Sequence, residues 1–196
     1  MNFLAHAYLS FEDPSLIVGN LIADMVKGKR IEQLPSDIQQ GIYLHRQIDT
    51  FTDRHPVVKE AKLFFEESAG RYGGSFLDIS FDHFLAKSDK FMPENGWEQF
   101  AEMCYGAIED KSGSLPSSFI SMFMYMKSEN WLLNYRYKWL IEKSFLRLQN
   151  RASYLSEDAP VYQSFVDHYD EIGTAFDAFF PDLVDFVSSS KELAMI

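Results

Sequence analysis

Prolines cut this chain into stretches whose apolar residues recur with a helical period. Asp13-Pro14 stands before Ser-Leu-Ile-Val, a helix cap followed by proline in the first turn, and Gly28 lies at the far end of that stretch. Pro35-Ser36-Asp37 opens a second helix that runs to His55-Pro56. Pro56 stops it and starts a third, to about Ala69-Gly70. Gly73-Gly74 reads as a turn, Phe76–Ala86 as a short apolar helix and Pro93–Asp110 as another. Ser112-Gly113-Ser114 with Pro116 reads as a loop. A long aromatic-rich segment, Ser118–Arg151, follows, with a break expected near Ser128–Asn130. Pro160 opens a last helix, kinked at Pro181. Alternating strand patterns with paired turn dipeptides do not occur. The expectation is one all-α domain over residues 1–196.

Composition narrows the function classes. A chain of 196 residues with 46% apolar content can bury a sizeable core without staples. The single Cys104 rules out a disulfide framework and a cysteine zinc finger, and reads as a small core residue. A formal net charge of −11 argues against a general affinity for nucleic acid. The charge is uneven: residues 1–75 hold eight basic and ten acidic residues, residues 76–196 ten and nineteen. No stretch nears the roughly 18–20 apolar residues of a membrane span, and no basic leader region follows Met1. A cytoplasmic protein is expected. No phosphate-binding glycine loop or serine-hydrolase elbow is present.

The informative residues are polar side chains on faces that should point inward. At about 100° per residue, Ile38, Ile42, His45, Asp49 and Thr52/Asp53 line one stripe of the second helix. A buried carboxylate needs a partner. Histidine and aspartate one turn apart can both reach one metal ion, and Asp53 can join them a turn later. The alternatives are a His45–Asp49 hydrogen bond, or Arg46 and Arg54 pairing with these acids at the surface. On the first helix, Asn20 and Asp24 share a face and can offer two oxygens to a hard cation, unless Asn20 only hydrogen-bonds within the core. Asp82-His83 form a third cluster. Their side chains diverge by about 100°, so one can ligate while the other orients a ligand or moves a proton. Asp78, one turn earlier, is a partner or a cap. His6 lies in the apolar run Phe3–Tyr8, where a core histidine bonded to a backbone carbonyl is the plain alternative. The Trp131, Tyr135, Trp139 series reads as a packing stripe.

Four segments occur in order: Asn2-Phe-Leu-Ala-His6; Gly19-Asn-Leu-Ile-Ala-Asp24 with Lys27-Gly28; Gly41-Ile-x-x-His45-Arg-x-Ile-Asp49 with Thr52-Asp53; and Asp82-His-Phe-Leu85. Together they resemble the acyl-carrier-protein phosphodiesterase (holo-acyl-carrier-protein hydrolase) family. The likeness covers nearly the whole chain, with its most specific motifs before residue 86. It implies an all-helical fold distantly related to HD-domain metal phosphohydrolases, although the adjacent pair here is Asp82-His83, the reverse of that superfamily's His-Asp. It also implies hydrolysis of the phosphodiester joining 4′-phosphopantetheine to a serine of acyl carrier protein. A divalent cation is implied, Mn2+ first and Mg2+ second, as is a place in lipid metabolism near fatty acid biosynthesis.

On that resemblance, His6, Asp24, His45 and Asp82 are the expected metal ligands. Asp49 and His83 are expected to orient water or move a proton. Guanidinium chemistry, not the family motif, suggests Arg46 for contact with the phosphate or the carrier surface, its plain alternative being a surface residue of the helix's outer face. Acyl carrier proteins are acidic, so Lys27, Lys29 and Arg30 form an expected docking patch. Their plain alternative is to offset a helix dipole. Two other functions remain open at this stage: an HD-like phosphohydrolase acting on a nucleotide or other small phosphodiester, and a non-catalytic helical interaction protein.

Overall fold

The structure, a computed structural model, describes residues 1–194, with side chains to residue 189. The last two residues of the expected 1–196 domain lie outside it. Every regular element among the described residues is helical. They are α1 (Phe3–Tyr8), α2 (Pro14–Ile22), α3 (Ser36–Arg54), α4 (Pro56–Ala61), α5 (Glu66–Ala69), α6 (Gly73–Lys87), α7 (Gly96–Asp110), α8 (Ser117–Ser128), α9 (Trp131–Asn134), α10 (Lys138–Arg151), α11 (Val161–Asp167) and α12 (Tyr169–Ala194). No helix among the described residues is long and apolar enough to cross a membrane.

Local chemistry explains the boundaries. Asp13 caps α2 by accepting hydrogen bonds from the Ser15 and Leu16 amides, and Pro14 occupies the first turn. α3 ends where His55 turns extended ahead of Pro56. Several expected helices are shorter than the periodicity implied. The first ends at Ile22 and continues as tight 3-10 turns, Ala23–Met25 and Gly28–Gln33, with Gly28 at φ +60°. The third divides around a 3-10 turn at Lys62–Phe65. The long aromatic segment breaks at Asn130, which takes the left-handed conformation that asparagine tolerates. Gly73-Gly74 is not a turn: it begins α6. A Cβ on Gly73 would press on the Lys62 carbonyl at 3.2 Å and Phe65 Cβ at 3.3 Å, so glycine serves close packing there. The turn itself falls at Gly70, φ +51°.

One continuous core runs from Met1 to Val187, and it is rich in rings. Phe176, Phe179 and Phe180 of α12 are fully buried and face Phe81 of α6 and Phe91. Trp131 and Tyr135 are buried as a packing stripe would require, but Trp139 is exposed.

The contact that positions the site is the crossing of α2 and α3. A Cβ on Gly19 would lie 2.1 Å from the Ile38 carbonyl oxygen, and one on Gly41 would lie 2.6 Å from the Leu16 carbonyl oxygen. Only glycine permits the two backbones to approach this closely. We expect Gly19→Ala to destabilise the fold by about 1–3 kcal/mol or more, since the clash is with backbone and cannot be relieved by a rotamer. Gly106→Ala, inside α7 with open space around it, should be neutral or stabilise by up to about 1 kcal/mol. Urea denaturation of the two variants checks the contrast, and equal stabilities would refute the close-approach role.

Candidate metal centre

His6 comes from a helix of only six residues, too short to hold itself. Two side chains from other helices secure it. Asp82, fully buried on α6, accepts the amide of Leu4 at 2.7 Å and that of Ala5 at 3.1 Å. It thus caps the N-terminus of α1 from outside, where a negative group is favoured. Asn20, fully buried on α2, donates its amide to the His6 carbonyl at 2.9 Å and to Ser10 Oγ at 3.0 Å. Ser10 Oγ donates to the same carbonyl at 2.8 Å. Carbonyls left open at the end of a helix are satisfied in this way.

Asn20 also fixes the second imidazole. Its main-chain carbonyl accepts from His45 Nδ1 at 2.8 Å, across the α2–α3 crossing. Nδ1 therefore carries the proton, and in the neutral ring Nε2 presents a lone pair. The His6 and His45 rings stack, centroids 4.0 Å apart and tilted 15°. Asp49, one turn beyond His45, lies between them: Oδ2 is 3.0 Å from His45 Nε2 and Oδ1 is 3.3 Å from His6 Nε2. Asp24 Oδ1 is 3.5 Å from His45 Nε2, on an exposed side chain. His6, His45 and Asp49 form a group whose donor atoms all lie within 4.8 Å of one another. Both ring nitrogens of His6, and Nε2 of His45, are buried without a hydrogen-bond partner. The cluster opens into a groove of about 520 Å³ lined by Asp24, Lys27, His45, Arg46, Asp49, Thr50 and Asp53.

Electrostatics is uneven across the cluster. Burial alone would lower the pKa of His45, but Asp24 and Asp49 raise it to about 9. His6, more deeply buried, is pushed down to about 4. Burial would raise Asp49, yet its contacts with the two imidazoles hold it far below the usual carboxylate range. The buried Met1 α-amino group lies 3.4 Å from Asp49 Oδ1 and 3.2 Å from Asp78 Oδ1. Burial opposes its charge, but Asp78 and Asp49 lift it to about 10.

The structure brings His6, Asp24, His45 and Asp49 together and leaves other sequence candidates outside. Asp82 was expected at the metal, but both its oxygens are taken up by the α1 amides, and burial raises it to about 7. His83 was expected to work on water or a proton. It lies on another face of α6, with Nδ1 donating to the Tyr135 carbonyl at 2.7 Å and Nε2 accepting from the Tyr169 hydroxyl at 2.7 Å. Asp53 lines the groove but pairs with Lys62 at 2.7 Å. Arg46 is exposed on the groove rim. Lys27, Lys29 and Arg30 are exposed too, and lie at or within the 3-10 turn rather than at the end of α2, which removes the helix-dipole explanation. Of the two alternatives for Asn20, a cation-facing amide or a core hydrogen-bonder, the structure matches the second. Its work is to hold the other two helices, and only its Oδ1 is left without a partner.

Fold and cluster define an all-helical protein in which His45, Asp24 and Asp49 line an open groove and a second, buried imidazole, His6, stacks behind them. A family model described as acyl carrier protein phosphodiesterase matches residues 1–183. An acyl carrier protein phosphodiesterase of Enterobacter sp. (strain 638) is 33% identical over 185 residues, which cover 94% of this chain and 96% of the relative. Another, from Escherichia coli O45:K1 (strain S88 / ExPEC), is 35% identical over 192 residues, covering 96% and 98%. No solved structure matches. The chain belongs to the acyl carrier protein phosphodiesterase family, a family of enzymes.

The raised pKa of His45 has a consequence for the cation-free protein. Its contribution to stability is complete below the unfolded value of 6.5 and is lost as pH rises through about 9. Thermal stability should therefore fall between neutral pH and about 9.5 in the native chain and much less in His45→Gln. A His45 ring titration by NMR with a midpoint near 6.5 would contradict this.

Proposed function

We propose that this chain is a cytoplasmic, divalent-cation-dependent phosphodiester hydrolase that removes 4′-phosphopantetheine from the serine of holo-acyl carrier protein. The observation that carries the reading is the pair of buried imidazoles, His6 and His45, whose Nε2 atoms make no aligned hydrogen bond and meet only carboxylates, beside an open groove lined by His45, Asp24 and Asp49. Buried polar atoms without partners are costly. A cation held by His6, His45 and Asp49, with Asp24 as a further oxygen, would answer them. The donor set fits: His45 gives its other nitrogen to a backbone carbonyl, the usual support for a metal-binding histidine. Mixed imidazole and carboxylate ligation accommodates Mn2+, and Mg2+ less readily.

When bound, the cation would supply an acidified water and neutralise charge on the phosphate. The chain's own residues do the rest. Asp49, kept ionised by the imidazoles, supplies fixed negative charge at the donor set. Arg46, on the rim, can donate to two phosphate oxygens at once. Lys27, in the groove wall, adds a second positive charge on the same side. Lys29 and Arg30 extend that charge outward, where an acidic carrier protein would dock. Asp82 and His83 act at a distance: Asp82 by holding the helix of His6, His83 by tying α6 to Tyr135 and Tyr169. Kinship with the HD-domain hydrolases would then lie in the fold and in metal chemistry rather than in the Asp82-His83 pair.

His45→Ala and Asp49→Ala should each lower Mn2+ affinity and cut release of phosphopantetheine from holo-carrier protein by at least about 100-fold. Isothermal titration and mass analysis of the carrier protein measure the two effects, and full activity in both variants refutes the site. Because Mn2+ must displace the proton on His45, binding at pH 7 should release about one proton, visible as a dependence of binding heat on buffer ionisation enthalpy. Reversing charge at Lys29 and Arg30 together, which lie outside the groove lining, should raise KM for holo-carrier protein about tenfold and leave turnover of a small diester unchanged. Turnover of nucleotides or small diesters but never of carrier protein would favour a different phosphohydrolase.

A further inference from the structure

A second groove runs beside the first along the exposed side of α3. Tyr43, Arg46, Gln47, Thr50 and Arg54 recur at helical spacing along it, and Phe186 of α12 also lines it. Its volume is about 590 Å³. Arg46 and Thr50 line both grooves, so the two adjoin along that ridge of α3, at the cluster's rim. The floor is aromatic: Phe51 stacks on Phe186 with centroids 4.5 Å apart and an 18° tilt. The rim is polar and positive. Arg46 and Arg54 have no ion pair among the described residues, on a chain whose net charge is −11. His55 lines the far end. Its Nε2 is 3.3 Å from Asp182, while its buried Nδ1 has no partner. From Arg46 to His55 the helix rises about 14 Å.

These features describe an elongated ligand. It carries negative charge at the Arg46 end, where the groove meets the cluster. It has an apolar body that lies on Phe51 and Phe186, and groups along its length that exchange hydrogen bonds with Gln47, Thr50 and His55. We propose that this groove holds the amide-bearing prosthetic arm of the substrate, with its phosphodiester at Arg46 and its far end toward Arg54 and His55. The assignment rests on the hydrolase reading above and adds where the arm lies and which residues select it. Arg46 then orients the phosphate, while Gln47, Phe51 and Phe186 set specificity for the arm and touch no reacting atom.

Gln47→Trp tests the groove, because Gln47 is exposed, lies outside the cluster's own groove and can carry a bulky ring without entering the core. Three substrates are compared on the native protein and the variant, each loaded with Mn2+: holo-carrier protein, the p-nitrophenyl ester of 4′-phosphopantetheine, and methyl p-nitrophenyl phosphate. An unchanged melting temperature confirms that the variant folds, and Gln47→Ala serves as a second, smaller perturbation. The expected result is a fall in kcat/KM of at least tenfold for both pantetheine substrates in Gln47→Trp, with methyl p-nitrophenyl phosphate unchanged. No effect on any substrate overturns the groove assignment while leaving the hydrolase reading intact. An equal fall on all three overturns it as well, since the variant would then be disturbing the cluster. A fall confined to holo-carrier protein overturns it in favour of a docking site for the carrier's folded surface. If the native protein hydrolyses methyl p-nitrophenyl phosphate and neither pantetheine substrate, the carrier-protein reading itself fails and the arm has no place in the groove.

Discussion

The hydrogen bond from His45 Nδ1 to the Asn20 carbonyl is the constraint on which the rest of the site depends. It exists because two glycines let α2 and α3 approach until a methyl group at either would overlap backbone atoms. Asn20 lies in the last turn of α2, where carbonyls are left open at the helix end, and the close crossing brings His45 of α3 within reach of this one. Once made, the bond fixes the tautomer of His45 and aims Nε2 at Asp24 and Asp49. The same asparagine uses its side chain to hold the end of α1, and with it His6. One residue thus sets the positions of both imidazoles, and the close packing of the two helices sets that residue.

The cluster is electrostatically unfinished in the protein alone. Two carboxylates face one imidazole nitrogen, and a second imidazole stacks at 4.0 Å, its Nε2 3.3 Å from Asp49 and its Nδ1 without a partner. A proton on His45 satisfies part of this, which is why its pKa rises to about 9 while that of His6 falls to about 4. A divalent cation would satisfy more of it, since it can take one nitrogen from each imidazole and compensate both carboxylates. The buried Met1 amine paired with Asp49 and Asp78 shows the same pattern, charges kept inside the fold only where opposite charge meets them.

The fold was largely legible in the sequence because proline and cap residues act locally. Asp13, Pro14, Pro35 and Pro56 mark helix ends wherever they occur, whatever packs against them. The misread places are those where distant contacts decide. Gly73-Gly74 resembles a turn until Lys62 and Phe65 are seen pressing on it, and the tight turns after Ile22 leave no mark on the apolar period. The site divides the same way. His45 and Asp49 stand one turn apart on one stripe, so periodicity alone brings them together, and His6 and Asp24 join them through the family motifs. Asp82 and His83 carry an equally strong motif, yet no period could show that Asp82 is spent on the amides of Leu4 and Ala5, or that His83 turns toward Tyr169. The Asn20 carbonyl has no signature at all, because every residue possesses one.

Direct observation of the ligands would test the central claim. Pulsed electron paramagnetic resonance of the Mn2+-loaded protein, with nitrogen-15 introduced at histidine only, reports which imidazoles touch the ion. Coupling from two histidine nitrogens, falling to one in His6→Gln and to one in His45→Gln, is the result expected of a centre built on both rings. Bound Mn2+ without histidine coupling, or with coupling unaltered by either substitution, would contradict it.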